Sequence, residues 1–328
     1  MYLLRCRSGA AEGGSTIRAT STRPPWRSSW DRGGAEDTGP VEADKDPGEG
    51  PALRREDLVS ATVAVLARAE TVLPLWVEEA IREAAAKERS AIARSQLSAI
   101  LENVEIAAAG GVPLCQDTGL PVFRLEIGLN LSIPPFLEEA IAEGVRRATE
   151  EVPLRPNAVD PLTRKNSGDN TGPGIPDLIV DLVPGDFLRI TAFPKGAGSE
   201  NGSFLAMLNP ADDPIEFVAR EVAKRAGRAC APVFVGVGIG GTFDLAPRLA
   251  KRALFRMPGT SELDRKLLTD INRLGTGPMG LGGDSTALAV RIETALCHTA
   301  SLPVAVNLQC WANRSASATV RDDGWNID

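Results

Sequence analysis

The chain has a single histidine, His298, and no C-x-x-C pair anywhere in its 328 residues. A zinc finger draws its ligands from Cys and His at short, regular intervals, so that class is excluded. A net positive charge is also lacking, with 36 Lys and Arg against 43 Asp and Glu. With a formal net charge of -7, most of the surface would repel a phosphate backbone, which argues against nucleic-acid binding and leaves room only for a local basic site for a small anion. No uninterrupted apolar run approaches the roughly 20 residues that span a bilayer, so the chain reads as soluble. Five cysteines without regular spacing do not make a secreted disulfide framework, and a reducing, cytoplasmic setting is expected. There is no internal repeat, and the length allows one large domain or two subdomains.

The composition sets out three stretches. Residues 1–53 are rich in Gly, Ser, Arg, Pro and acids, with no sustained apolar period, and are expected to be a disordered tail. The Arg- and Ser-rich start has the composition of an organellar transit peptide, but Pro24-Pro25 interrupts it and no amphipathic helix is evident, so a dispensable tail is the preferred reading. Cys6 falls in this tail, outside the chemistry. Residues 54–320 are expected to form the ordered domain, and 321–328 a C-terminal tail.

Within the domain, helical spacing predicts helices over Arg55–Leu73, Leu75–Lys87 and Ser90–Ala109, the first broken by Pro74 and the third stopped by Gly110-Gly111. The texture then changes. Val122–Ile127 alternates like a half-buried strand, Pro135–Thr149 is helical, and Ile179–Val183 with Phe187–Phe193 reads as a hairpin turning at Pro184-Gly185-Asp186. Helices near Pro214–Ala226, Asp244–Phe255 and Ser261–Leu274 surround apolar runs at Val233–Val237, Ala287–Ile292 and Val304–Leu308, read as strands of one sheet. The fold class is mixed α/β: a helical N-terminal region, then a β-sheet subdomain packed with helices.

Three cysteines, Cys115, Cys230 and Cys310, lie far apart in sequence, each in a loop with turn-forming or polar neighbours. One thiolate from each of three loops can hold a cofactor at a shared mouth. Cys297, beside His298, rivals Cys310, although a small buried thiol is the usual reading for its surroundings. Gly236-Val237-Gly238-Ile239-Gly240-Gly241 satisfies G-x-G-x-x-G after a strand, but the acidic residue expected about 20 positions on a second strand is missing. Glycines that let backbone pass close to a neighbour suit it better. Lys195-Gly196-Ala197-Gly198-Ser199 has its lysine ahead of the glycines, the wrong order for a Walker loop, yet such amides beside a lysine can grip a carboxylate. Arg164 to Gly172 is a polar turn cluster.

Taken in order, Pro113-Leu114-Cys115-Gln116-Asp117-Thr118-Gly119, Leu154-Arg155-Pro156-Asn157-Ala158, Asn170 to Pro176, Lys195 to Asn201, Val235 to Gly241 and Asn272-Arg273-Leu274-Gly275 resemble the iron–sulfur hydro-lyases. These are the class I fumarate hydratases and L-tartrate dehydratases, in particular the catalytic alpha subunit of the two-subunit form. The resemblance covers about Arg54 to Val320. It implies a [4Fe-4S] cluster on Cys115, Cys230 and Cys310, with one iron free of cysteine to act as a Lewis acid. It further implies that Asp117 transfers a proton or orients the group that does, that Gln116, Arg155 and Gly196 contact a dicarboxylate substrate, and that His298 stands near the cluster in a positioning or proton-network role. A separate beta subunit is expected to supply a swivelling domain, and the resemblance leaves open whether the catalytic base belongs to this chain or to that partner. Two positions depart from the family pattern: Ala197 replaces a common glycine, and Cys297 belongs to no motif of the family.

Fumarate hydration is the leading expectation, because the Lys195–Asn201 segment resembles the fumarase form of that loop. L-tartrate dehydration is the alternative. An NAD-dependent oxidoreductase using the Gly236 loop and a zinc-stabilised, non-enzymatic subunit stand as readings from other classes.

Overall fold

The computed structural model describes residues 53–328; the expected tail with its transit reading and Cys6 lies outside the described residues, and Leu53, placed at its end, is buried in the first core. Three helices open the chain, α1 (Arg55–Thr71), α2 (Leu75–Lys87) and α3 (Ala91–Gly110), as the apolar spacing predicts. Residues 55–87 include an 18-residue window apolar enough, at mean hydropathy 1.5, to be considered for a bilayer. Half of that window is buried inside the protein, and the helix breaks before Pro74, so these are core helices of the fold.

The first sheet contains β1 (Val122–Gly128), β2 (Asp177–Val183), β3 (Leu188–Ala192), β8 (Ala316–Arg321) and β9 (Gly324–Ile327), in the order β2-β1-β3-β8-β9. Phe123, Leu125 and Ile127 alternate onto one face and meet α1 and α4 (Leu137–Glu151) through Leu58, Leu66, Ile141 and Val145. Each such buried side chain contributes about 1.5–3 kcal/mol relative to exposure. The two helices cross closely because Gly144 lies against Thr62, where a Cβ would sit 2.5 Å from the threonine Cβ.

The predicted hairpin of β2 and β3 does not form. β1 lies between them, parallel to β2 and antiparallel to β3. The Pro184–Phe187 turn wraps the end of β1, with Gly128 N donating to Phe187 O and Asn130 N to Gly185 O, at 2.8 Å each. The central strand satisfies both neighbours, an arrangement that turn chemistry alone cannot report. The expected C-terminal tail is likewise structured: β9 pairs antiparallel with β8 and closes the sheet's other edge.

The second sheet orders β4 (Phe204–Leu208), β7 (Leu302–Gln309), β5 (Val233–Gly240) and β6 (Ala287–Ala295), so the three predicted strands do share one sheet. On one face, Val235, Val237, Val304 and Val306 pack with residues of α6 (Pro214–Ala226) and α8 (Glu262–Arg273). On the other, α7 (Leu245–Phe255) presses onto β5 at Gly236 and Gly238, where a Cβ would stand 2.2 and 2.1 Å from the carbonyls of Ala250 and Ala246. The G-x-G-x-x-G run is therefore spent on strand-to-helix packing. Asn272, from the last quoted motif, is also structural: its side chain accepts from Thr286 N and Ala287 N and donates to Ala287 O, fastening α8 to β6.

Candidate active site

A third core joins the sheets, with Leu97 and Val104 of α3, Leu114, Phe193, Phe234 and Trp311 buried together and Cys310 packed against them. The first cysteine loop emerges where Gly111, at φ 60°, caps α3 in a left-handed conformation. It is fastened from two helices, Leu114 N donating to Glu70 O at 2.8 Å and Asn103 Nδ2 to Leu114 O at 2.9 Å.

The second and third cysteines leave adjacent strands at the same end. Cys230 ends a 3-10 turn just before β5, and Cys310 follows β7, which runs antiparallel to β5 with Gln309 opposite Phe234. Trp311 N donates to the Cys230 carbonyl at 3.3 Å, tying these loops together. Cys230 sits at φ 55°, ψ 63°, a left-handed conformation that costs a non-glycine residue about 1–2 kcal/mol. Strain of this kind is retained where surrounding structure over-determines it, commonly at functional sites.

Asp117 is the centre of the polar network. Its Oδ1 accepts from Gly119 N at 3.0 Å and its Oδ2 from Ala197 N at 2.8 Å. Two amides on two oxygens favour a carboxylate held in one orientation. Its own amide lies 3.4 Å from Cys115 Sγ. Lys195-Gly196 leads into the one-turn helix α5 (Ala197–Gly202), and Gly196 must be small here: a Cβ would lie 3.1 Å from Asp117 Oδ2. A Cβ on Gly198 would lie 3.1 Å from Arg228 O and 4.0 Å from Cys230 Sγ, so the same segment touches both cysteine loops.

A cleft of about 1000 Å³ opens beside Asp117, lined by Arg155, Asn157, Arg164, Lys165 and Lys195 among others. Arg155 is exposed at its wall, while its backbone is clamped: Arg155 N donates to Thr118 Oγ1, and buried Asn170 donates to Arg155 O and accepts from Asn157 N. Gln116 is exposed next to Asp117. The Lys195 ammonium is buried and turned inward, to Ser199 Oγ at 3.1 Å, to Leu308 O and towards Glu200 at 3.6 Å. Burial lowers its pKa from 10.5 to about 8, and Lys251 adds to the fall while Glu200 and Cys310 oppose it.

The structure thus brings Cys115, Cys230, Cys310, Asp117 and Gly196 together, with Arg155 on the adjoining cleft. His298 is not brought there. It lies before β7 begins, at the opposite end of the second sheet from Cys310, and from Phe234 to Ile239 alone that is about 17 Å of strand. His298, with Cys297 and Leu296, is exposed, and its Nδ1 accepts from Ala300 N at 3.1 Å. Cys297 is thereby removed from the thiol group as well. A sequence motif fixes a residue's neighbours along the chain, and an eight-residue antiparallel strand carries the two ends of β7 to opposite sides.

One pair escaped the sequence reading. Glu70 of α1 and Arg314 are both fully buried, with Arg314 Nη1 2.9 Å from Glu70 Oε2 and Arg314 Nη2 donating to the Asp117 carbonyl at 2.6 Å. The ion contact is off-line for a hydrogen bond, so both Glu70 oxygens lack a donor. Burial raises the Glu70 pKa from 4.5 to about 7; Arg314 pulls it down and Asp117 pushes it further up. The signal was available in a charged residue four positions after Leu66 on the buried stripe of α1.

Among the described residues no three His, Cys, Asp or Glu side chains converge closely enough to share one metal ion. Arg314 and Lys195 place positive charge beside Cys310. Burial pushes the Cys230 and Cys310 thiols up, and the nearby Arg314 and Lys195 draw Cys310 back down. The buried Arg314 Nε has no partner among the described residues.

The family model described as fumarate hydratase (Fumerase) matches residues 59–319, nearly all of the described chain. The chain belongs to the fumarate hydratase family. It is a hydro-lyase. A protein of Methanocaldococcus jannaschii named putative L(+)-tartrate dehydratase subunit alpha is 48% identical over 276 residues, 80% of this chain and 96% of that one. The L(+)-tartrate dehydratase subunit alpha of Escherichia coli strain K12 is 32% identical over 264 residues, 77% of this chain and 87% of its own. The counterpart from Escherichia coli strain UTI89 is 33% identical over the same span. The family match covers the whole second sheet, the first sheet as far as Thr319 in β8, and all three cysteine loops.

Proposed function

We propose that this chain is the catalytic alpha subunit of a two-subunit, cytoplasmic iron–sulfur hydro-lyase that adds water to, or removes it from, a four-carbon dicarboxylate. The observation that carries the reading is the meeting of three thiol loops beside an amide-held aspartate at the edge of a cationic cleft. The partner is inferred from relatives named as alpha subunits.

Cys115, Cys230 and Cys310 would hold a [4Fe-4S] cluster, which when bound supplies Lewis acidity towards substrate oxygens at the iron that has no cysteine ligand. Arg155 presents a planar guanidinium to one substrate carboxylate, with Arg164 and Lys165 adding positive charge along the cleft. Asp117, fixed by the amides of Gly119 and Ala197, accepts or orients the proton leaving the carbon next to a carboxylate while hydroxide departs from the neighbouring carbon. Gly196 leaves the room Asp117 needs, and Gln116 borders the aspartate on its exposed side. No electron is transferred overall.

Fumarate hydration to L-malate is supported by the family description and by the Lys195–Asn201 segment. L-tartrate dehydration is a second reading, favoured by the names of the relatives at 48% and 32% identity. One added hydroxyl changes few contacts, so turnover must decide. The complex purified without oxygen is expected to contain iron and sulfide in equal amounts and to turn over one of the two acids in strong preference. Zinc without sulfide, or no turnover of either acid by an iron-loaded complex, overturns the proposal.

A further inference from the structure

Of the described lysines and arginines, Lys195 and Arg314 alone are buried, and the charges of both act on Cys310. Taking an ammonium out of water is unfavourable, and an apolar side chain of similar volume would fill the space without that penalty. A buried lysine therefore needs a reason beyond packing. Its main chain and its side chain reach different thiol loops. Lys195 N donates to Leu120 O at 3.0 Å and Lys195 O accepts from Leu120 N at 2.9 Å, which fastens the segment that follows Cys115 and Asp117. Gly119 comes so near that a Cβ there would stand 2.7 Å from Lys195 N. The side chain runs to the third loop. Its ammonium has three protons and three acceptors around it: Leu308 O near the end of β7, Ser199 Oγ at 3.1 Å and Glu200 Oε1 at 3.6 Å. Ser199 Oγ in turn lies 3.1 Å from Gln309 Oε1, and Gln309 Nε2 donates to Pro194 O at 3.2 Å, so the residue before Cys310 is held to the residue before Lys195.

We propose that Lys195 is a positioning residue for the cluster, joining the first and third thiol loops and offsetting with its charge the negative charge of the thiolates that hold the iron. Hydroxyl and amide groups could make most of these bonds with no charge at all. What the ammonium alone brings is a positive charge fixed behind the third thiol, where water screens it little. It acts through Cys310, because its protons are already taken by Leu308, Ser199 and Glu200. Glu200 tempers the same charge from its half-exposed side and is shared with Lys251, 4.0 Å away. The role rests on the iron–sulfur reading, so the unaltered complex is measured first.

The readout is the midpoint potential of the cluster, followed by electron paramagnetic resonance during a redox titration of the anaerobically purified complex with its partner subunit, together with the rate at which a chelator removes iron. A nearby cation favours the reduced, more negative cluster. Lys195→Met should therefore shift the one-electron equilibrium towards the oxidised form by about tenfold, a potential about 59 mV lower, and should lose iron about tenfold faster. Lys195→Arg keeps the charge and should stay close to the parent in both. Glu200→Gln removes the anion opposite the ammonium and should move the potential upward, an arm that decides the question where Lys195→Met yields no folded complex. A Lys195→Met complex with the parental potential overturns the proposal even if its melting temperature falls, since a lock without an electrostatic role would lower stability alone. An unmoved or lowered potential in Glu200→Gln overturns it too. A parent complex without iron and sulfide removes the iron–sulfur reading and this role together, whereas a parent that carries the cluster and variants that match it remove this role only.

Discussion

At one end of β5 and β7, Cys230 and Cys310 leave the sheet into loops held by the Trp311 amide, by Gly198 and by the network around Asp117 and Arg314. At the other end, Cys297 and His298 leave it into a turn fastened locally by Ala300 N and Ser301 N. The two ends carry the same kinds of residue, thiols beside polar groups, and differ in what surrounds them. Leu296 is 99% exposed at the second end, whereas Phe193 and Trp311 are buried at the first. A thiol becomes a ligand candidate through the other loops that reach it, and its sequence neighbours carry little of that information.

The sharpest way to break this comparison is to remove thiols from each end. Cys115→Ser, Cys230→Ser or Cys310→Ser is expected to abolish the brown chromophore, bound iron and turnover, while Cys297→Ser keeps all three. Iron and sulfide per chain, with an anaerobic absorption spectrum, provide the check. Loss of iron in Cys297→Ser with retention in Cys310→Ser would move the metal site to the exposed end and reverse the reading.

Arg314 ranks next, because it belongs to the built end alone. Arg314→Met leaves Glu70 without the one cation that pairs with it among the described residues, and the Asp117 carbonyl without the Arg314 donor. Breaking a buried ion pair from one side costs about 3–5 kcal/mol, so chemical denaturation should show a loss of that size, with weaker iron retention. A loss below about 1 kcal/mol would mean that the pair does not hold the Asp117 loop.

Much of this was legible beforehand. Helices α2 and α6 run as the apolar spacing and the Pro74 and Pro214 boundaries indicate. The three thiol loops were visible because turn residues mark loops, and Asp117 was visible only through the resemblance of its motif to the family's. What was hidden is non-local. The β2 and β3 segments were read correctly as strands, yet β1 separates them, and sequence proximity favoured a hairpin. His298 was placed by motif, and strand direction sent it away. Glu70 carries no local mark except its position on an apolar stripe, and only the return of the chain at Arg314 gives it a partner.

Glu70 also gives the built end a pH signature. Its pKa rises from 4.5 to about 7 on folding, so between those values the folded state binds more protons than the unfolded one. Stability from this group is present in full below pH 4.5, falls as pH rises towards 7, and is flat above; the span is worth roughly 3 kcal/mol. Glu70→Gln should remove that slope, so the variant gains on the parent as pH rises through the window. Parallel slopes for the two proteins would show that the Glu70 carboxyl is better solvated or better paired than its burial implies.

The smallest effect belongs to the exposed end, and it decides what His298 can do. His298→Ala removes one local acceptor at a solvent-facing turn, so stability should change by less than about 0.5 kcal/mol and iron per chain should not change. Turnover is the informative measurement. The cleft of its own chain lies beyond at least about 17 Å of strand, too far for a side chain to reach. A variant with full iron, full stability and unchanged turnover would leave His298 a turn residue. A variant with full iron and full stability but depressed turnover would require His298 to act on a cleft in another chain, and mixing it with an Asp117→Asn chain should then restore part of the activity, because each copy would supply what the other lacks.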